Sequence, residues 1–216
     1  AGLIVDLAGD DPNNIITTLT PLLYYALTVI IGLTFMVFIF YPLIIYLKTG
    51  VTIKKFLKAI FPAQMLAFST SSSAATLPLT MKRVEKNLNV SDEVTSFVCP
   101  LGATINMDGT SIHQAISAVF IAQAFGQDLT LIDQVAIVLT ATLSSIGAAA
   151  VPGAGLIMLV IVLGAIGIDP QGLALIIAID RPLDMLRTVV NVTGDATVAS
   201  VVASTEGERI KFTDDE

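Results

Sequence analysis

Apolar positions run through this chain in long blocks, broken by short polar clusters. Residues 12–47 contain no Asp, Glu, Lys or Arg. As a helix such a run reaches about 54 Å, against a hydrocarbon core of about 30 Å. The pattern predicts a tilted span over 16–47, after a lead-in over 1–15. Later blocks predict a span over 94–127, broken in its middle, and another over 170–205. Two blocks do not read as simple spans. The block over 52–91 is interrupted by FSTSSSAATLP, and that over 130–167 by SSIGAAAVPGAG. Each predicts two helices meeting at a tip.

Composition decides the solvent. The chain is 54% hydrophobic, 13% charged and free of Trp, and its mean hydropathy of +0.83 points to a bilayer rather than to a soluble core. The net charge of -7 is spread over loops and termini, which gives no case for a nucleic-acid partner. Cys99 stands alone, so no internal disulfide is expected.

Charge placement orients the elements. Lys48, Lys54, Lys55 and Lys58, then Lys82, Arg83 and Lys86, then Arg209 and Lys211 form basic sets, whereas Asp128, Asp133 and Asp169 have no basic neighbour. The positive-inside rule puts the basic sets in the cytoplasm, with a cytoplasmic tail over 206–216, and the Asp-only loops outside. Both ends of 52–91 then lie inside and both ends of 130–167 outside, so each reads as a re-entrant hairpin. Backbone that leaves a helix at membrane depth must be buried in protein or line a wet cavity, because lipid cannot satisfy its N–H and C=O groups. Hairpin plus span over 59–127 recurs in opposite orientation over 134–205. Inverted repeats whose broken helices meet near the midplane characterise secondary transporters. The expected fold is an all-α multi-pass membrane protein: transmembrane helices plus two re-entrant helical hairpins in an inverted repeat.

Residues 180–195, DRPLDMLRTVVNVTGD, concentrate charge against this background. At about 100° per residue, Asp180, Asp184, Arg187, Thr188, Asn191 and Asp195 fall within an arc of roughly 100°. Arg181 points away from it. Ionisable groups in a membrane segment are costly, face the interior and mark functional sites. An internally neutralised network, Asp184 with Arg187 or Arg181 with Asp180, is the competing reading. Pro182 is expected to interrupt the start of this span.

PLGATINMDGT, residues 100–110, is the second constellation. Asn106 and Asp108 cannot share one face of a regular helix, so a local unwinding is expected, freeing carbonyls such as those of Gly102 and Thr104. Hard oxygen ligands with a carboxylate suit an alkali cation better than zinc, which prefers His and Cys. A phosphatase DGT motif would need Asp where Asn106 stands, and a calcium loop needs more carboxylates. His113 is expected to be a packed, bundle-facing residue and Cys99 a core residue. No nucleophile with a paired base argues for an enzyme.

STSSSAATLP, NMDGT, SIGAAAVPGAG and RTVVNVTGD, in this order and spacing, resemble the dicarboxylate/amino acid:cation symporters, the glutamate transporter family, over about residues 16–205. The resemblance implies an elevator transport domain that carries substrate and ions between two hairpins and slides against a homotrimeric scaffold in the plasma (inner) membrane. It implies that Arg187 holds a side-chain carboxylate, Asp184 the substrate ammonium and Asn191 the main-chain carboxylate. Thr110 and Thr188 would add hydroxyls, and backbone at Ser73, Val151 and Gly155 would close the tips. Sodium is the implied coupling ion, with no organic cofactor. One ion would lie near Gly102, Asn106, Asn191 and Asp195, a second near Thr104, Ser145 and Ile146, and a third near Asn106 and Asp108. A planar Arg suits a carboxylate and a carboxylate suits an ammonium. Arg187 with Asp184 favours an acidic amino acid, aspartate or glutamate, and Asp195 favours sodium over protons. A C4-dicarboxylate or proton-coupled symporter is the alternative.

The departures from the family pattern are specific. Ser71 and Met185 stand where many relatives carry a further Arg, and Ala150 where Gly is usual. The family's first five spans, which build the scaffold, have no counterpart in these 216 residues, nor does the third span, which helps complete the third sodium site. The chain reads as the transport domain of such a symporter, or else as a non-transporting membrane binding module acting with another chain.

Overall fold

The computed structural model describes residues 12–214, and all the regular structure in them is helical. The order is α1 (Pro12–Phe35), a π-helical turn (Met36–Phe40), α2 (Tyr41–Thr49), α3 (Ile53–Thr70), α4 (Ser73–Leu88), α5 (Asp92–Ile105), α6 (Asp108–Ala124), α7 (Leu131–Ile146), α8 (Ala154–Ala165), a 3-10 turn (Pro170–Leu175) and α9 (Ile177–Thr205). Most of the lead-in over 1–15 lies outside the described residues.

Helix α1, the π turn and α2 run on as one rod. Leu19–Thr49 is the one helix among the described residues long and apolar enough to cross a membrane by length and composition. Its buried positions Tyr25, Val29, Leu33, Val37, Tyr41 and Ile45 recur every fourth residue. Each step of four over-rotates an α-helix by about 40°, which would leave Tyr25 and Tyr41 about 160° apart. The π turn absorbs one residue and cuts that angle to about 60°. Both phenols therefore turn inward, while Leu23, Tyr24, Ile31, Phe38 and Leu47 face out. So continuous an apolar face is a surface for lipid or protein.

Helices α3 and α4 form an antiparallel pair. The chain turns at Ser71, in the left-handed region (φ 52), and Ser72 caps α4 by accepting from Ala75 N at 3.1 Å. Further down, Arg83 Nε donates to Ala59 O at 2.7 Å. Helices α7 and α8 form the second pair, joined by an irregular tip over Gly147–Gly153. A capping box of Thr130 and Asp133 starts α7. Ala150 keeps a backbone outside the left-handed region, so its methyl group fits this tip where glycine is usual.

The chain breaks between α5 and α6 at Asn106 (φ -95, ψ 71) and Met107 (φ -106, ψ 49). Of the two carbonyls expected to be freed, that of Gly102 is not: it accepts from Asn106 N at 2.8 Å, because α5 completes its last turn before unwinding. Among the described residues no backbone donor reaches the carbonyl of Thr104.

Helix α9 is central, packing against α1 to α6 and α8. Every residue from Val190 to Thr197 is buried. Pro182 does not interrupt it. The proline sits in the second turn, where it removes only the donor that would reach Ala178 O, close to a helix end that already carries unpaired N–H groups. After α9 the chain folds back on the base of the first pair. Lys211 N donates to Leu88 O (3.1 Å), Thr213 N to Asn87 O (3.0 Å), and the Glu208 carboxylate accepts from Ser91 N (2.8 Å) and Ser91 Oγ (2.6 Å).

Candidate functional site

The two tips meet beside the first half of α9, near Asp184. Ser72 Oγ donates to Ala150 O at 2.8 Å, and Ala74 N reaches the same carbonyl at 3.4 Å. Beneath the second tip, Asp184 Oδ2 accepts from Gly153 N (3.0 Å) and Oδ1 from Arg187 Nη2 (2.7 Å). Arg187 is only 1% exposed. Its Nη2 also lies 3.2 Å from Asp180 Oδ1, and its Nη1 lies 2.6 Å from His113 Nδ1. Gly155 presses on this group: a Cβ there would stand 3.3 Å from Arg187 Nη1 and 2.9 Å from Thr110 Cγ2. Arg187, Asp184, Thr110 and Gly155 thus share one pocket.

Asn191 adjoins it one turn along α9. Its Oδ1 accepts from Gly109 N at 2.8 Å, and its Nδ2 faces Thr110 Oγ1 at 3.3 Å and Met107 Sδ at 3.2 Å. Thr188 Oγ1 donates to Asp184 O at 2.9 Å, leaving its lone pairs as acceptors. Ser73 is buried at the start of α4, whereas Val151 has an exposed side chain, so only its backbone suits closing a tip.

The neutralised network holds in one half. Asp184 does pair with Arg187, but Arg181, with its side chain 57% exposed, lies 3.6 Å from Asp184 Oδ2 rather than beside Asp180. Asp180 faces Arg187 and His113 instead.

A second polar cluster lies toward the other end of α9. Asn106 Nδ2 donates to Asp195 Oδ1 at 3.0 Å, and Tyr41 OH donates to Asp108 Oδ2 at 2.5 Å. Two glycines permit the approach. A Cβ on Gly102 would collide with the Asp195 carboxylate, and one on Gly194 would stand 2.7 Å from both Tyr41 Oη and Asn106 Nδ2. Carboxylates, an amide and a phenol make an oxygen-rich set suited to a hard cation. The predicted members Gly102, Asn106, Asp108 and Asp195 are brought together here, while Asn191 stands one turn away along α9, bonded to Gly109 N. Thr104 and Ile146 are exposed, and Ser145, though buried, turns its hydroxyl to Thr142 O (2.9 Å) while Ala148 N takes its carbonyl (3.1 Å).

Four residues enter the clusters that sequence reasoning did not assign to them. Tyr41 reaches Asp108 only because the π turn rotates it inward, and nothing in MVFIF announces such a turn. Tyr25 OH bonds His113 Nε2 (2.9 Å) and Ser117 Oγ (2.8 Å). His113 is packed as expected, but against Arg187. Gln114 ties the second hairpin to α6, donating to Gly155 O (3.0 Å) and accepting from Ser144 Oγ (2.6 Å). The fourfold spacing that carries Tyr25 and Tyr41 is no signal in the sequence, because Leu23, Leu27, Ile31, Phe35, Ile39, Leu43 and Leu47 repeat it on the exposed face.

Comparison with known proteins is consistent across most of the chain. The model of the sodium:dicarboxylate symporter family matches residues 1–205. An excitatory amino acid transporter of Caenorhabditis elegans is 45% identical over 190 residues, 88% of this chain and 38% of its own length. Human excitatory amino acid transporter 2 is 46% identical over 178 residues, 82% of this chain and 31% of its own. Mouse excitatory amino acid transporter 5 is 41% identical over 203 residues, 94% of this chain and 35% of its own. The chain thus spans about a third of the length of the curated relatives it matches. Matched by the family model over residues 1–205 and 41–46% identical to these relatives, the chain belongs to the sodium:dicarboxylate symporter family.

Proposed function

We propose that this chain forms the substrate- and ion-carrying part of a sodium-coupled symporter for an acidic amino acid, aspartate or glutamate. The observation that carries the reading is the buried Arg187–Asp184 pair beneath the joined hairpin tips, on the same helix as Asp195. Arg187 binds the substrate's side-chain carboxylate and Asp184 its ammonium. Asn191 takes the main-chain carboxylate, Thr110 and Thr188 add hydroxyls, and backbone at Ser73, Val151 and Gly155 closes over the substrate. Without substrate, Arg187 and Asp184 neutralise each other. An acidic amino acid brings its side-chain carboxylate to Arg187 and its ammonium to Asp184, so each of these two groups exchanges one counter-charge for another and neither is left buried and unpaired.

Sodium occupies the oxygen cluster of Gly102, Asn106, Asp108, Asn191 and Asp195, and a further position near Thr104, Ser145 and Ile146. The Asn106 amide and the Tyr41 hydroxyl direct protons at the two carboxylates, whose oxygens are the ones a cation would take. The two helix pairs are re-entrant, with their tips near the midplane, and the unit moves as an elevator in the plasma membrane against a trimeric scaffold contributed by the remainder of the protein. The names of the relatives support the substrate class, and that of the family supports the ion. The test is uptake of labelled aspartate into liposomes holding the intact protein. Uptake driven by an inward sodium gradient is expected. Uptake driven by protons alone, preference for a C4-dicarboxylate without an amino group, or binding without uptake would each overturn the reading.

A further inference from the structure

Three groups hold the Arg187 guanidinium, and they differ in kind. Asp184 and Asp180 are acids on the same helix, and both act on Nη2. His113, on α6, is the one that meets Nη1, at 2.6 Å. Arg187 Nε is buried with no hydrogen-bond partner, so the orientation of the group is set at its two Nη ends. A guanidinium only donates. His113 Nδ1 must therefore accept, and the imidazole is neutral with its proton on Nε2. That N–H faces Tyr25 OH at 2.9 Å and Ser117 Oγ at 3.3 Å, with Asp180 Oδ1 at 3.5 Å. Tyr25 is fixed in turn by stacking on Phe120, their ring centroids 4.8 Å apart. The His113 ring is 0% exposed and has no room to swing aside.

We propose that His113 is a positioning and specificity-determining residue for the acidic substrate: it holds Arg187 at the angle that receives the carboxylate without adding a further counter-charge at Nη1. The inference rests on the reading of Arg187 given above. When Asp184 turns to the substrate ammonium, the hold on Nη2 weakens and His113 remains. A carboxylate at this position would compete with the substrate for the guanidinium, and an aliphatic side chain would leave Nη1 unheld. A neutral acceptor, locked in its tautomer by Tyr25 and Ser117, does neither.

The test is a double-mutant cycle on the reconstituted intact protein, with aspartate affinity measured at saturating sodium and sodium binding measured alone. His113→Leu is expected to weaken aspartate about tenfold, the scale of a lost hydrogen bond to a charged group. It should leave sodium binding unchanged. His113→Asn places Oδ1 near the position of Nδ1 and should recover aspartate affinity to within about threefold. In an Arg187→Cys background, His113→Leu should cost nothing further, because residues that act through one another are not additive. An unchanged aspartate affinity in His113→Leu, or the same loss in both backgrounds, overturns the inference. If Arg187→Cys alone leaves aspartate binding intact, the function reading fails instead. Tyr25→Phe nearly conserves volume and removes the hydroxyl that faces Nε2. It should weaken aspartate about threefold and sodium not at all, as expected of one neutral hydrogen bond. Should His113→Leu not fold, this variant decides: no loss for aspartate, or an equal loss for sodium, overturns the inference.

Discussion

The α3–α4 hairpin turns through Ser71 and Ser72 and is clasped at its base by the tail residues Glu208, Lys211 and Thr213, whereas the α7–α8 hairpin turns through the irregular Gly147–Gly153 segment and its tip is held by Asp184 and by the first hairpin. The first set of bonds does not involve the candidate site. The second set includes the bond from Gly153 N to Asp184, so the state of Asp184 and Arg187 bears directly on how firmly that tip is seated. A polar site built this way reports its occupancy directly to the second tip, and to the first hairpin only at its tip, through the bonds to Ala150 O.

Removing the charge beneath the second tip should break the comparison most visibly. Arg187→Cys is expected to weaken aspartate at least about 100-fold, since removing one partner of a buried ion pair costs about 3–5 kcal/mol. Amide exchange should rise over 147–153 and stay unchanged at the base of the first hairpin, over 87–91. Gly155→Ala puts a methyl group 2.9 Å from Thr110 Cγ2 and 3.3 Å from Arg187 Nη1. Titration should show about tenfold weaker aspartate binding, at the scale of an overpacked core site. Ser72→Ala removes both the α4 cap and the bond to Ala150 O, and should weaken aspartate about fivefold, matching about 1 kcal/mol for a lost cap. Glu208→Ala frees the base of the first hairpin. Exchange should quicken over 87–91 with aspartate affinity unchanged, because that clasp lies outside the site. Smallest of all, Thr130→Val removes the capping box of α7 and should fray its first turn alone.

Much of this arrangement was legible in the sequence because membrane helices announce their ends. Charges mark where apolar blocks stop, and clusters of Ser, Ala, Gly and Pro mark where they turn. The arc of Asp180, Asp184, Arg187, Asn191 and Asp195 followed from helical periodicity, and all five are buried. What stayed hidden depended on local irregularity or on which helices cross. Tyr41 reaches Asp108 through a π turn that leaves no mark in composition. His113 reaches Arg187 because α6 crosses α9 at that level, a tertiary fact that periodicity along one helix does not contain. The Gly102 carbonyl was expected to be free, but the break in the chain comes one residue too late for that. Pro182 was expected to interrupt the start of the last span and instead sits near enough to the start of α9 to be tolerated.

The central claim is that the Arg187 cluster and the Asp195 cluster, on one helix, bind an acidic amino acid and sodium as coupled ligands. Its most direct test is aspartate affinity measured across a sodium titration, paired with sodium affinity measured across an aspartate titration. Coupled sites must change each other's affinity by the same factor. The account predicts that saturating sodium tightens aspartate by about tenfold or more, and that saturating aspartate tightens sodium by that same factor. Aspartate affinity that is the same with and without sodium would contradict it.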